Sequence, residues 1–165
     1  MKILLALVIV LGCGYIGWGF SQYYKSRVNF FSAFSQQLCI AKNQIVFEHK
    51  KLKDVFEQMM KCDCVALGVL CKNYISYLSD KDCILSQTKL YQDIHILKKD
   101  EKSSMFNLFS SLGRQDSEGE SDIFESYIEI LKANEKSCLS IYNKFGRLLT
   151  KLGFMAGCAL AILVL

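Results

Sequence analysis

The chain of 165 residues contains no proline, one tryptophan and two histidines, and few of its ten glycines lie in the middle. Proline ends or kinks a helix because it lacks a backbone N–H and clashes with the preceding turn. Its absence therefore removes the strongest local signal against helix. We expect helices almost throughout, and no strand is needed to bury the apolar residues.

Motifs of the common catalytic and nucleotide-binding sites are also missing. The chain has no G-x-x-x-x-G-K-[ST] phosphate loop, no H-E-x-x-H and no G-x-S-x-G. His49 and His95 stand apart in amphipathic surroundings, which favours surface positions over a role as base or metal ligand. Asp80 and Asp82 form a carboxylate pair, but in a turn context. We find no catalytic constellation, cofactor site or small-molecule site, and predict that the protein is not an enzyme.

Charge is absent from both ends of the chain, at Ile3–Phe20 and Leu152–Leu165. The first run of 18 residues makes a helix of about 27 Å, close to the roughly 30 Å hydrocarbon core of a bilayer. The second run reaches spanning length if its helix begins near Phe145 and Lys151 extends to the headgroups. We predict an N-terminal transmembrane anchor at 1–24, a soluble domain at 25–147 and a C-terminal transmembrane segment at 148–165.

Basic residues flank both apolar runs on their inner sides. They are Lys25 and Arg27 after the first run and Lys144, Arg147 and Lys151 before the second, with only Lys2 on the outer side. The positive-inside rule places the middle domain in the cytoplasm and both termini outside. The net charge of +4 comes from this cluster and from dispersed lysines, so nothing indicates a nucleic-acid partner.

Two features of the first apolar run leave alternatives open. Val10-Leu11-Gly12-Cys13 loosely resembles a lipobox, which would make the protein an extracytoplasmic lipoprotein acylated at Cys13. The interfacial aromatic residues Tyr15 and Trp18 favour an uncleaved anchor instead. Glycines at 12, 14, 17 and 19 either allow close helix packing or are merely tolerated in lipid.

Four of the eight cysteines, Cys62, Cys64, Cys71 and Cys83, lie within 22 residues of each other. Their spacing, C-x-C-x6-C-x11-C, differs from the paired C-x2-C form of most structural zinc sites. A cytoplasmic position disfavours disulfides. We interpret them as free, partly buried thiols, with a metal or redox sensor as the alternative.

Apolar residues at helical spacing predict a compact all-α bundle between the two transmembrane helices. We expect a long helix or helix pair over Val28–Lys61, a helix at Cys64–Leu78 and another at Cys83–Leu97. A short stripe from Met105 to Leu112 follows. A last helix begins at a capping box formed by Ser117 and Glu120 and continues into the C-terminal apolar run as one rod.

A corner between two predicted helices, formed by Leu112, Gly113, Arg114 and Asp116, is the first candidate surface for a partner. Gly113 permits a left-handed C-cap, and Asp116 can accept from free N–H groups of the next helix. The guanidinium of Arg114 suits a partner carboxylate. A purely structural corner explains the same residues equally well.

An acidic face on the last helix is the second candidate surface. Its members are Glu118, Asp122, Glu125 and Glu129. Acids early and bases late in the helix complement the helix dipole, so a solvated face is one interpretation and a docking surface for a basic partner is the other.

Three segments of this chain resemble the stage III sporulation protein AB family. They are Tyr24–Arg27 (YKSR) after the first span, Leu112–Asp116 (LGRQD), and the ending Tyr142–Gly157 (YNKFGRLLTKLGFMAG). The resemblance covers the whole length, and the L-G-R-x-D element is its most specific part. The chain departs from the family at Ala41–Ile45 (AKNQI), where members have an acidic stretch, and near Lys51, where they have a proline.

The resemblance implies a function in endospore-forming bacteria. Family members work in the mother-cell membrane around the forespore, within a multiprotein channel complex. Their soluble domain is similar to the cytoplasmic helical domains of platform proteins in type II secretion and type IV pilus machines. The implied partners are the stage III sporulation protein AA ATPase and other membrane proteins of the channel. This chain would then be a scaffold that couples the ATPase to the membrane.

Overall fold

The computed structural model describes residues 2–79, 85–112 and 117–164. All regular elements in these ranges are helical, which confirms the expected all-α fold. They are α1 (Lys2–Val46), α2 (Leu52–Met59), α3 (Val65–Ser79), α4 (Gln87–Leu90), α5 (Lys99–Ser111), α6 (Ser117–Ile141) and α7 (Arg147–Val164), with a π-helical turn at Tyr142–Gly146.

The chain divides into two compact units. The terminal unit comprises Met1–Val28 and Glu135–Leu165, and the central unit comprises Asn29–Asn134. α1 is a single helix of 45 residues, so the anchor predicted at 1–24 and the helix predicted from Val28 form one element. The boundaries predicted at 24/25 and 147/148 separate transmembrane segments from the soluble domain. They stay predictions.

The predicted segment Val28–Lys61 is a helix pair, because a turn separates α1 from α2. The backbone N–H groups of Phe47 and Glu48 both donate to the carbonyl oxygen of Asn43, at 3.0 and 3.3 Å. His49 follows in the left-handed region with φ 52°, a conformation that ends a helix. This turn ends α1 and connects it to α2.

Aromatic side chains form the core of the central unit. Phe34 stacks on Phe109 with ring centroids 6.1 Å apart, and Tyr74 approaches Phe109 at 4.7 Å and Phe56 at 4.8 Å. The Tyr74 hydroxyl donates to the carbonyl oxygen of Phe109 at 3.2 Å, so this buried polar group is satisfied. Each such buried ring contributes about 1.5–3 kcal/mol through removal from water.

The predicted apolar stripes supply this core. The residues at this helical spacing that are buried are Phe31, Phe34, Leu38, Ile45, Val55, Phe56, Met59, Met105, Leu108, Phe109, Leu112, Phe124, Ile128 and Leu131. The helical spacing therefore identified the inward faces of α1, α2, α5 and α6 correctly.

The helix predicted at Cys83–Leu97 is wrong. Residues 80–84, including the predicted turn and N-cap, lie outside the described residues, and beyond them only the single turn α4 is helical. Asp93 has φ 66°, which an α-helix does not allow. The side-chain amide of Asn73 on α3 donates to the carbonyl oxygens of Leu90 at 3.1 Å and Gln92 at 3.4 Å. In a longer helix these two carbonyl oxygens would instead accept hydrogen bonds from backbone N–H groups of the same helix.

Glycines bring α1 and α7 together in the terminal unit. A Cβ atom placed on Gly153 would lie 2.8 Å from the carbonyl oxygen of Cys13 and 3.2 Å from the Cα of Gly17. One placed on Gly157 would lie 3.0 Å from the Cα of Val10. Lower numbers on α1 therefore meet higher numbers on α7, so the two helices run antiparallel. We call this contact the glycine seam.

The π-helical turn at Tyr142–Gly146 separates α6 from α7. The ring of Tyr142 lies over Gly146, where a Cβ would be 2.5 Å from its Cδ2 atom. Only glycine leaves room for the ring at this position. The rod predicted from the sequence is thus continuous in helical conformation but contains one wide turn.

Candidate interaction surfaces

The corner predicted at Leu112–Asp116 is described only at its first residue. Leu112 has an extended backbone (φ −62°, ψ 136°) that ends α5, and its N–H donates to the carbonyl oxygen of Leu108 at 3.1 Å. Its side chain is buried, so the C-terminal end of α5 is anchored in the core. Gly113, Arg114 and Asp116 lie outside the described residues, and their role stays a prediction.

The acidic face of α6 is exposed where it is described. Asp122, Glu125 and Glu129 all point to solvent, while the side chain of Glu118 lies outside the described part of the chain. Glu125 accepts a hydrogen bond from the ammonium group of Lys42 on α1. Within the described ranges Asp122 and Glu129 make no ion pair, so two carboxylates of this face are available to a partner.

The ion pair between Lys42 and Glu125 was not predicted from the sequence. Its partners are 83 residues apart, and no local pattern relates them. Lys42 is only 15 % exposed and Glu125 is 64 % exposed, so the lysine stem packs against the protein while its charge reaches the surface. Lys42 lies in the stretch where the chain departs from the family's acidic pattern.

Three of the four clustered cysteines are described, and all three are free thiols. Burial raises the pKa of Cys71 to about 12, and burial also raises the pKa of Cys64. The Cys62 thiol donates weakly to the carbonyl oxygen of Cys64, at 3.7 Å. Raised pKa values disfavour the thiolate, which is the form that binds metals and attacks disulfides. Cys83 lies outside the described residues.

No group of three or more His, Cys, Asp or Glu side chains is placed to hold a metal ion in residues 2–79, 85–112 and 117–164. Both histidines, His49 and His95, are exposed, as their amphipathic surroundings predicted.

Apolar side chains cover the outer faces of the terminal unit. Those that are largely exposed include Leu11, Tyr15, Ile16, Trp18 and Phe20 on α1, and Leu152, Phe154, Met155, Leu160 and Ile162 on α7. Water-soluble proteins seldom expose a continuous surface of this kind. The chemistry of this surface fits lipid.

One helix in the described part of the chain is long and apolar enough to cross a membrane, by length and composition alone. It comprises Gly119–Ile162, and 18 % of its most apolar window is buried inside the protein. Residues 148–162 of the predicted C-terminal span lie within it. The N-terminal span stays a prediction.

The glycine seam distinguishes the two interpretations of the glycines in the first apolar run, which were close helix packing and mere tolerance in lipid. Gly17 is in backbone contact with α7, whereas Gly12, Gly14 and Gly19 have nothing within 4 Å of a Cβ position. One of the four glycines therefore serves helix packing within the chain. Cys13 lies in the same seam, and cleavage before it would remove the contact of Val10 with Gly157.

Comparison with known families identifies the whole chain. The family model described as Stage III sporulation protein AB (spore_III_AB) matches residues 2–165. Searches of curated proteins and of solved structures gave no match. The family match agrees with the resemblance carried by the L-G-R-x-D element and by the C-terminal segment. The chain belongs to the stage III sporulation protein AB family, a family of sporulation proteins.

Proposed function

We propose that this protein is a non-enzymatic membrane platform of a sporulation channel complex, which couples a partner ATPase to the membrane around the forespore. The central unit would face the mother-cell cytoplasm, and both termini would lie on the other side. The partner would be an ATPase of the stage III sporulation protein AA type, together with other membrane proteins of the channel.

The observation that carries the proposal is the character of the helix Gly119–Ile162. Its first part bears the exposed carboxylates of Asp122, Glu125 and Glu129, and its last part bears the exposed apolar side chains of α7. A single helix therefore presents a charged surface to water and an apolar surface suited to lipid. This arrangement supports a scaffold that joins a cytoplasmic partner to a bilayer.

The sequence is consistent with a partner protein that binds and hydrolyses the nucleotide. It has no phosphate-binding loop, so a nucleotide-driven process would depend on another protein. The surfaces available for that protein are Gly113, Arg114 and Asp116 at the predicted corner and the carboxylates of Asp122 and Glu129 on α6. Basic side chains of the ATPase would pair with the carboxylates of α6, and a carboxylate of the ATPase would pair with the guanidinium of Arg114.

Binding of the ATPase to the full chain in lipid nanodiscs tests the proposal. We would measure the affinity of the purified AA-type ATPase by biolayer interferometry for the wild type, Arg114→Ala/Asp116→Ala and Asp122→Lys/Glu129→Lys. Glu48→Ala/Lys50→Ala is the matched control, because it removes one exposed acid and one exposed base that pair with each other at 2.7 Å.

We expect one or both surface variants to weaken binding about tenfold or more, with the control unchanged and helicity preserved by circular dichroism. Equal affinity for all variants would remove these two surfaces from the proposal. Failure of the wild-type chain to bind the ATPase would refute the coupling role.

A further inference from the structure

A groove with a volume of about 470 Å³ lies between α2 and α3 in the central unit. Its lining includes Asp54, Glu57, Met60 and Lys61 from α2 and its C-terminal end, and Lys72 and Ile75 from α3. These residues belong neither to the predicted corner nor to the acidic face of α6. We call it the α2–α3 groove.

The walls of the α2–α3 groove are held by contacts in the core. Phe56 packs against Tyr74 in an edge-to-face arrangement with centroids 4.8 Å apart, which fixes α2 on α3. A Cβ placed on Gly68 would lie 3.2 Å from the carbonyl oxygen of Met60, so the two backbones also approach closely. At one edge the Gln58 side chain accepts a hydrogen bond from Gln44 at 2.8 Å. The groove is therefore preformed, which lowers the entropic cost of occupying it.

The lining of this groove combines charges of both signs with the apolar side chains of Met60 and Ile75. Asp54, Glu57, Lys61 and Lys72 are all exposed, and in the described part of the chain none of them makes an ion pair. Met60 is 40 % exposed. Accessible apolar side chains among unpaired charges are typical of a protein-binding site.

The position of the groove favours a helical partner. Asp54 and Glu57 are three residues apart and share one face of α2, and Lys61 follows two residues after the end of that helix. The groove between two packed helices is the position that a third helix occupies by inserting its own row of side chains. Helix-in-groove binding uses an apolar anchor at the centre and charged residues at the edges.

We infer that the α2–α3 groove docks an amphipathic helix of a partner protein, whose apolar residue contacts Met60 and Ile75. Basic side chains of that helix pair with Asp54 and Glu57, and acidic ones pair with Lys61 and Lys72. The mixed charge makes a nucleic acid or an anionic membrane a poor occupant, because Asp54 and Glu57 repel phosphates. This inference does not depend on the proposed platform role, since neither the ATPase nor the membrane enters it.

A charge-exchange experiment on the full chain in nanodiscs tests the docking site. The first probe is a fluorescein-labelled, stapled helical peptide with a central leucine, two arginines at one end and two glutamates at the other. The second probe replaces the arginines with glutamates, so that all its charged residues are acidic. Fluorescence anisotropy gives the affinity of both peptides for the wild type and for Asp54→Lys/Glu57→Lys.

We expect the mixed-charge peptide to lose about tenfold or more in affinity for Asp54→Lys/Glu57→Lys. The all-acidic peptide should gain affinity for that variant and bind the wild type weakly, because the groove is then entirely basic. Added salt should weaken both interactions. The matched control Glu48→Lys/Asp100→Lys changes the net charge by the same amount at two exposed residues that do not line the groove, and it should leave both affinities within about twofold.

Three results would overturn the inference. They are the absence of saturable binding of the mixed-charge peptide, equal effects of the groove variant and the control variant, and a dimer seen by light scattering that the groove variant dissociates without any peptide binding. The last result would assign the groove to a second copy of this chain.

Discussion

The two units of this protein pack their helices with opposite kinds of side chain. In the central unit large rings meet, with Phe109 in contact with Phe34, Phe56 and Tyr74. In the terminal unit α1 and α7 meet where Gly17 and Gly153 bring backbone to backbone. Large apolar side chains gain most from leaving water, whereas helices in lipid gain by close approach of their backbones. The difference in packing thus follows the solvent proposed for each unit.

Truncation in the aromatic core should have the largest effect. We expect Phe109→Ala to lower the free energy of unfolding by about 3–5 kcal/mol, because it removes a fully packed ring and leaves a cavity. Urea unfolding of the full chain in detergent micelles, followed by circular dichroism, measures this loss. Phe47→Ala is the matched control, since Phe47 is 72 % exposed. A similar loss in both variants would contradict the assigned core.

A larger side chain in the glycine seam tests how the helices of the terminal unit pack. Gly153→Ala adds a Cβ only 2.8 Å from the carbonyl oxygen of Cys13, so we expect a loss of about 1–3 kcal/mol from overpacking. Hydrogen–deuterium exchange of α7 in micelles should then increase.

Gly12→Ala is the control for the seam, because a Cβ there meets open space and alanine favours helix. We expect this control to keep or strengthen protection from exchange. Equal loss of protection in Gly12→Ala and Gly153→Ala would mean that the seam does not hold the helices together.

Alkaline pH should destabilise the central unit through its buried thiol. The pKa of Cys71 is raised from 9.0 to about 12, so between these values the unfolded chain loses a proton that the folded chain keeps. The free energy of unfolding therefore falls by about 1.4 kcal/mol per pH unit above pH 9 from this group. Burial also raises the pKa of Tyr91, which adds to the decline above pH 10.

Urea unfolding at a series of pH values from 8 to 11 measures the slope. Cys71→Ala should have a shallower slope than the wild type, whatever its overall stability. Cys39→Ala provides the control, because Cys39 is exposed. Identical slopes for Cys71→Ala and the wild type would show that the thiol titrates equally in both states.

The smallest effect should come from the ion pair between Lys42 and Glu125. Glu125 is largely exposed, so a double-mutant cycle with Lys42→Met and Glu125→Gln should give a coupling free energy of about 0.2–1 kcal/mol. High salt should reduce it. A coupling free energy of zero at low salt would leave Glu125 as available to a partner as Asp122 and Glu129.

Local patterns in the sequence predicted most of the helices and most of the core. The three- and four-residue spacing of Phe124, Ile128 and Leu131 identified the buried face of α6, and the stripe from Met105 to Leu112 identified that of α5. Both signals lie within one helix, where periodicity alone decides which side faces inward.

Features that depend on distant contacts could not be predicted in this way. The segment after α4 has an apolar pattern suited to a helix, but Asn73 binds its carbonyl oxygens from α3. The pairing of Lys42 with Glu125 and the groove between α2 and α3 likewise arise only when separate elements meet. At the predicted corner the interpretation of Gly113, Arg114 and Asp116 depends on the sequence alone. These residues belong to the L-G-R-x-D element, which is the most specific part of the resemblance to the family.

The distance in sequence between Lys42 and Glu125 sets an order of events during synthesis. Phe34 leaves the ribosome long before Phe109, on which its ring stacks in the finished central unit. The ring of Phe34 can therefore stack on Phe109 only after α5 has been made, and Lys42 can pair with Glu125 only after α6 has been made. During that interval the nascent chain needs protection from aggregation.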